Sequence, residues 1–394
     1  MQEPAAVATA GVARTAPRSA YALLGGLTAA HLVNDFYVMV IPPLVPALRE
    51  TFHLSYAQIG VLSFCFSILS GVLQAPVGHL ADARGGRKRV VLAGFLVFCG
   101  GFVAMALAPT YPLILGASLL CGLGATTFHP QSTNFLTRAF PASRGRAMGI
   151  HGWGGSIGNF LAPLVVAALV SQLGWRQALL CLVVPGLLAA ALLWGLLEEP
   201  PPVTAATREW GITRDLVLVA VTFGLLSMVL RGFLTFLPTF LVERGASLAR
   251  AGFLTSLMLV VGLVAQPLGG QVYDRIGGRP LFLTCAVGTG LGLLVFSASS
   301  GPMLLAGAAL VGFFVFAVFP ASLALPSEIA RGGRVGLAVG IVFGVSATMA
   351  AVTPILTGYA ADLVGLERAF QLLIIVVILA AALSLRLPGR RAGA

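Results

Sequence analysis

Charge is what this chain lacks most. Of 394 residues, only 9% are Asp, Glu, Lys or Arg, with 24 basic and 13 acidic side chains. A soluble globular surface needs about a quarter of its residues charged. This composition therefore excludes a soluble enzyme, a disordered scaffold and a free-standing nucleic-acid binder together. The net charge of +11 does not restore a nucleic-acid partner, because the charges fall in short loops between apolar runs. Lysine is almost missing. Lys88 stands alone and is followed by Arg89, so no G-x-x-x-x-G-K-[ST] phosphate loop exists and the chain carries no P-loop ATPase of its own. The five cysteines (Cys65, Cys99, Cys121, Cys181 and Cys285) lie scattered inside apolar runs without metal-ligand spacing, which argues against disulfides and a thiolate metal site. There is no H-E-x-x-H zinc motif. Gly154-Gly155-Ser156-Ile157-Gly158 matches the hydrolase elbow, but that turn needs a strand before it, and here it sits within an apolar helical run.

Apolar length is what the chain has. Hydrophobic residues make up 58%, and 48 glycines lie among them. Segments of about 20 residues, each enough to cross the roughly 30 Å hydrocarbon core, recur at 20–47, 57–80, 90–108, 112–136, 147–170 and 177–197. After a polar break they recur at 216–241, 250–273, 280–299, 302–325, 336–360 and 367–387. This predicts an all-α membrane protein of twelve transmembrane helices, spans 1 to 12. The Ala/Pro-rich residues 1–19 read as a cytoplasmic tail rather than a signal peptide. Residues 20–197 form a first six-helix bundle, 198–215 a cytoplasmic linker, 216–387 a second bundle and 388–394 a closing tail.

The two bundles are repeats. At an offset of 192, Gln74, Gly78, Asp82, Gly85, Gly86 and Arg87 fall on Gln266, Gly270, Asp274, Gly277, Gly278 and Arg279. Pro46, Ser55 and Gly60 fall on Pro238, Ser247 and Gly252 at the same offset. At 191, Gly149 and Pro163 fall on Gly340 and Pro354. An offset that preserves helix number is a parallel repeat, as in one large class of secondary transporters. With the N-terminus inside, 18 Arg/Lys lie in the tails and even-to-odd loops, against five in the opposite loops. Basic residues stay cytoplasmic, so both termini are expected there. The preference for Arg over Lys, with abundant Ala, Gly and Pro, suggests a GC-rich bacterial genome and hence the inner membrane.

Residues Gly78 to Lys88, between spans 2 and 3, resemble the loop signature of the major facilitator superfamily, and Gly270 to Arg279 repeat it between spans 8 and 9. The first copy has Ala83 where the family usually has arginine, and both copies carry an extra glycine. The resemblance implies two six-helix halves rocking around a midplane cavity. It makes Gly78, Asp82, Arg87, Asp274, Arg275 and Arg279 a conformational latch, with Asp82 accepting hydrogen bonds at a neighbouring helix N-terminus. In span 5, Gly149, Gly158 and Ala162-Pro163 are similar to the superfamily's antiporter motif, with Ala162 in place of a glycine. Small residues there are expected to bring span 5 close to span 8 or 11. His31-Leu32-Val33-Asn34-Asp35, Leu54 to Gly60 and Phe128-His129-Pro130-Gln131-Ser132 together resemble the fosmidomycin-resistance branch, which implies a proton-coupled exporter.

Ionisable groups inside spans are expensive and point to function. Asp35 is the one carboxylate well inside a span, and His31 lies one turn before it on the same helical face. Asp35 is expected to carry the proton with His31 coupled to it; a fixed ion pair is the competing reading. Arg231 in span 7 lies one turn from residue 227, the repeat position of Asp35. It either pairs with Asp35 in one state and draws an anionic substrate in another, or pairs with Asp35 permanently. Asn34, His129, Gln131, His151, Trp153 and Asn159 are candidate substrate contacts, with helix-to-helix hydrogen bonding equally open for each. Gln74 and Gln266 are expected to stitch the halves together. The expected function is proton-driven export of a small amphiphilic or anionic compound by alternating access, with uptake by symport or uniport as the alternative. Small-molecule substrate, protons and the bilayer are the partners. No cofactor and no metal are expected, with the proton gradient as the energy source, and the protein is expected to act as a monomer.

Overall fold

The computed structural model describes residues 18–141, 143–199, 212–330 and 335–389. Most of the expected tails and linker therefore lie outside the described residues. Twelve helical segments are long and apolar enough to cross a membrane: Ser19–Phe52, Tyr56–Ala81, Arg87–Leu107, Tyr111–Ala139, Arg144–Leu173, Trp175–Leu196, Arg214–Glu243, Leu248–Ile276, Gly278–Ala298, Pro302–Ile329, Ala338–Val364 and Leu366–Ser384. These are spans 1 to 12 as the apolar runs predict, and there is no strand among the described residues. Several helices outrun their apolar runs by a turn. Charged residues such as Arg49 and Glu50 extend them beyond the hydrocarbon without breaking the backbone ladder.

Proline explains where the spans break. Span 1 divides into Arg18–Val38 and Ile41–Phe52, the second starting on Pro42 and Pro43 in the first turn, where a missing N–H costs nothing. Span 4 divides into Tyr111–Ala125 and Phe128–Ala139 just before Pro130, and span 10 into Pro302–Ala317 and Phe319–Ile329 around Pro320. The breaks at Thr126 and Val318 are 192 residues apart, so the repeat seen in sequence is also a repeat of irregularity. Ser55 and Ser247, another matched pair, cap spans 2 and 8 by accepting from the N–H groups of Gln58 and Arg250.

The halves meet through glycine rather than through the matched glutamines. Gln74 and Gln266 make no hydrogen bond among the described residues, which corrects the expected stitching role. Instead Gly60 of span 2 lies against the backbone of Pro354 and Ile355 in span 11, and Gly358 against the backbone of Tyr56. Gly252 of span 8 lies against Pro163 and Ala167 of span 5. A methyl group at Gly60 would come to 2.6 Å from the Pro354 carbonyl carbon, so only glycine permits this approach. Polar contacts close the same end. The Asp362 carboxylate accepts from the N–H groups of Tyr56 (2.8 Å) and Ala57 (2.9 Å), capping span 2 from the opposite half. Arg49 pairs with Glu243 at 2.5 Å, and the Tyr56 hydroxyl donates to the same carboxylate. The end that carries the loops between spans 1–2, 7–8 and 11–12 is therefore shut.

Candidate functional site

Spans 1, 4 and 5 converge on one carboxylate. Asp35 and His31 share a face of span 1, with His31 Nε2 3.4 Å from Asp35 Oδ2 and side-chain exposures of only 11% and 15%. Span 5 can approach this face because it presents glycine to it. A Cβ at Gly155 would sit 2.5 Å from Asp35 Oδ2 and 2.6 Å from His31 Nε2; Gly154 and Gly158 lie against the Thr28 and Leu32 carbonyls. The apparent hydrolase elbow is thus a helix-packing seam. It also divides the expected antiporter motif: Gly158 packs on span 1 rather than on span 8 or 11, Pro163 does meet span 8, and Gly149 has open space around it.

Among the described residues, every ionisable neighbour of Asp35 is a histidine. The His151 ring stacks on His31 at 4.2 Å between centroids, and its backbone carbonyl takes the His31 Nδ1 proton at 2.8 Å. That bond fixes the His31 tautomer, because Nδ1 then carries a hydrogen and Nε2 faces the carboxylate. A neutral His31 would point a lone pair at carboxylate oxygen, so one proton must lie between the two groups. His129, from span 4, places Nε2 3.4 Å from Asp35 Oδ1. Asn34 Nδ2 donates to Oδ1 at 3.0 Å and Asn159 Nδ2 to Oδ2 at 3.3 Å. The ligand atoms of His31, Asp35 and His129 lie within 4.8 Å of one another, close enough to share a single cation. His129 is the open side of the cluster, with 40% of its side chain exposed.

Several expected contacts fall elsewhere. His151 and Gln131 are buried in the bundle at 2% and 0% exposure, so neither faces a cavity in this arrangement, contrary to the expected substrate contact. His129, Asn34 and Asn159 serve Asp35. Trp153, two residues from His151 and so on the opposite face of span 5, is 69% exposed and lies outside the cluster. Arg231 is half-buried and has neither ion-pair nor side-chain hydrogen-bond partner among the described residues. The reading of Arg231 as a permanent partner of Asp35 does not hold. The repeat position of Asp35 is Ser227, whose Oγ lies 2.9 Å from Ser346 Oγ of span 11. One half thus carries the acid, and the other a hydroxyl pair and an unpaired guanidinium.

At the signature loop, Gly78 packs against Pro130 of span 4, Arg87 is fully buried, and Asp274, Arg275 and Arg279 are exposed. The Asp82 side chain lies outside the described residues. The carboxylate that caps span 3 is Glu199, which accepts from the N–H groups of Gly86 (2.8 Å), Arg87 (2.7 Å) and Lys88 (3.1 Å). Sequence reasoning missed Glu199 in this role, and it missed Asp362 and Glu243 at the shut end. Each acts across a sequence separation of more than a hundred residues, and no local pattern marks it.

The sequence matches the Major Facilitator Superfamily over residues 27–249 and again over 217–393, one match centred on each half. The chain belongs to the major facilitator superfamily. Its relatives within the superfamily include the fosmidomycin resistance protein of Escherichia coli, 26% identical over 99% of this chain and 98% of that one. The 2-nitroimidazole transporter of the same organism is 28% identical over 68% of this chain and 74% of its own length. Among solved structures, a bacterial homologue of the human lysosomal transporter Spinster, in an inward-facing and occupied conformation, superposes with a TM-score of 0.86 at 19% identity, covering 96% of this chain and 100% of that one. A D-xylose–proton symporter gives 0.76 at 19% identity, over 94% and 98%. At such identities the structures establish the fold. The chain is accordingly a multi-pass membrane transporter with two six-helix bundles, and the proteins it resembles are transporters, not enzymes.

Proposed function

We propose that this transporter is a proton-coupled antiporter that exports a small amphiphilic or anionic compound across the bacterial inner membrane, with both termini cytoplasmic. The observation that carries this reading is Asp35, a carboxylate inside a span, with His31 and His129 each 3.4 Å away and His151 stacked behind His31. The full-length likeness to the fosmidomycin resistance protein supports export and a phosphonate-like or otherwise anionic substrate. Arg231, a cation without a partner among the described residues, in the half that has Ser227 at the repeat position of Asp35, supplies the attraction for an anion. Given the basic-residue asymmetry, the shut end is the external one, and this arrangement is open towards the cytoplasm.

In the proposed cycle, substrate binds from the cytoplasm near Arg231 while the Asp35 cluster gives up its proton to that side. The halves rock, the external contacts at Asp362 and Glu243 part, and Asp35 takes up an external proton as substrate leaves. Binding of substrate and proton must be mutually exclusive for export; a symporter would need both bound together. Everted vesicles with an imposed pH gradient test the scheme. Proton movement out of the vesicle lumen on adding fosmidomycin supports antiport of an anion. Movement only with a lipophilic cation removes Arg231 from substrate recognition, and co-movement of substrate and proton in one direction establishes the symport alternative.

A further inference from the structure

The half-helix Phe128–Ala139 of span 4 touches two functional regions through adjacent residues. His129 places Nε2 3.4 Å from Asp35 Oδ1. Pro130 packs on Gly78 of the signature loop, where an added Cβ would lie 3.1 Å from the Pro130 Cβ. Two observations mark this half-helix as a separable part. It begins at a break, where the N–H groups of Thr126 and Thr127 reach back only three residues, to Leu123 (3.3 Å) and Gly124 (3.4 Å), and Pro130 has no N–H to donate. Its polar groups are also incompletely satisfied. Both amide atoms of Gln131 and the Oδ1 of Asn134 are buried without a partner among the described residues. The other half repeats the mechanics without the chemistry. Span 10 breaks at Val318, and Pro320, two residues ahead of the repeat position of Pro130, packs on Gly270; Ala321 stands at the position of His129 and Ser227 at that of Asp35.

We propose that this half-helix is the lever through which protonation at Asp35 moves the signature loop, with Pro130 passing displacement between His129 and Gly78. The proposal rests on Asp35 being the proton carrier. The titratable groups facing Asp35 are His31 from its own helix and His129 from span 4, with His151 of span 5 one ring behind His31. While Asp35 is ionised, a hydrogen on His129 Nε2 holds that ring to the carboxylate; a proton on the carboxylate weakens that attraction and releases the half-helix. Coupling is reciprocal, so a push on the loop must change the affinity for protons.

The test uses the full chain in lipid nanodiscs, spin-labelled at Ser143 and Ile276, one exposed position on each half at the signature-loop end. The distance between labels is followed against pH. The wild type is expected to change distance with one midpoint, and Asp35→Asn to lose that change. Gly78→Ala, which forces Pro130 to shift, is expected to move the midpoint by roughly threefold or more in proton concentration. Gly270→Ala, whose Cβ would make an ordinary 3.7 Å contact with Pro320, is expected to leave it in place. In a His129→Gln background, Gly78→Ala is expected to have no further effect on the midpoint. A midpoint that Gly78→Ala does not move, or moves equally without His129, overturns the lever while leaving Asp35 as the carrier. A wild type indifferent to pH, or an Asp35→Asn variant that still responds, overturns the carrier reading and the lever with it.

Discussion

At the scale of single residues, the proposed proton coupling turns on how little room Asp35 has. Gly155 lets span 5 seat against the His31–Asp35 pair, and Gly155→Ala would drive a methyl group into both side chains. Overpacking of this kind costs about 1–3 kcal/mol, so a lower Tm and at least a tenfold loss of proton-coupled transport are expected. Gly152→Ala, on the same helix with nothing within 4 Å of its Cβ, should leave both unchanged. Thermal unfolding in detergent and vesicle flux check the pair together. Arg231→Gln tests the opposite half: transport of anions should fall at least tenfold while neutral compounds are spared, measured side by side in one vesicle preparation. Equal loss for both would assign Arg231 to structure.

At the scale of elements, the shut end depends on span 2 meeting span 11. Asp362→Asn keeps the side chain's size but can no longer accept both the Tyr56 and Ala57 N–H groups, since one of its two heads becomes a donor. The variant should spend more time open at that end, seen as faster labelling of a cysteine placed at the half-buried Ala57 than in the Asp362 parent. Glu199→Gln should loosen the start of span 3 at a cost of about 1 kcal/mol, lowering Tm by a few degrees without altering proton stoichiometry. These elements also show how far the sequence can be read. The twelve spans, the repeat and the His31–Asp35 pair follow from apolar length, offset matching and helical spacing, all of them local properties of the chain. The convergence of His129 on Asp35 and of His151 on His31, the caps from Glu199 and Asp362, and the exposure of Trp153 depend on which faces of distant helices meet. In span 5, glycine packing sets those faces, so the polar residues alone did not reveal them.

At the scale of the whole molecule, the two halves share a scaffold but not a chemistry. The first holds a carboxylate among three histidines; the second holds Ser227, Ser346 and an unpaired Arg231 at the related place. A rocking machine of this kind separates two abilities that a proton carrier joins: exchanging substrate across the membrane, and concentrating it against a gradient. The most direct measurement is therefore to compare those two abilities in Asp35→Asn, with labelled fosmidomycin in reconstituted vesicles. Substrate-for-substrate exchange at zero pH gradient should persist, because the halves still rock around a bound substrate. Uphill movement driven by a pH gradient should fall to background. An Asp35→Asn protein that still concentrates substrate in response to the pH gradient would contradict the account at its centre.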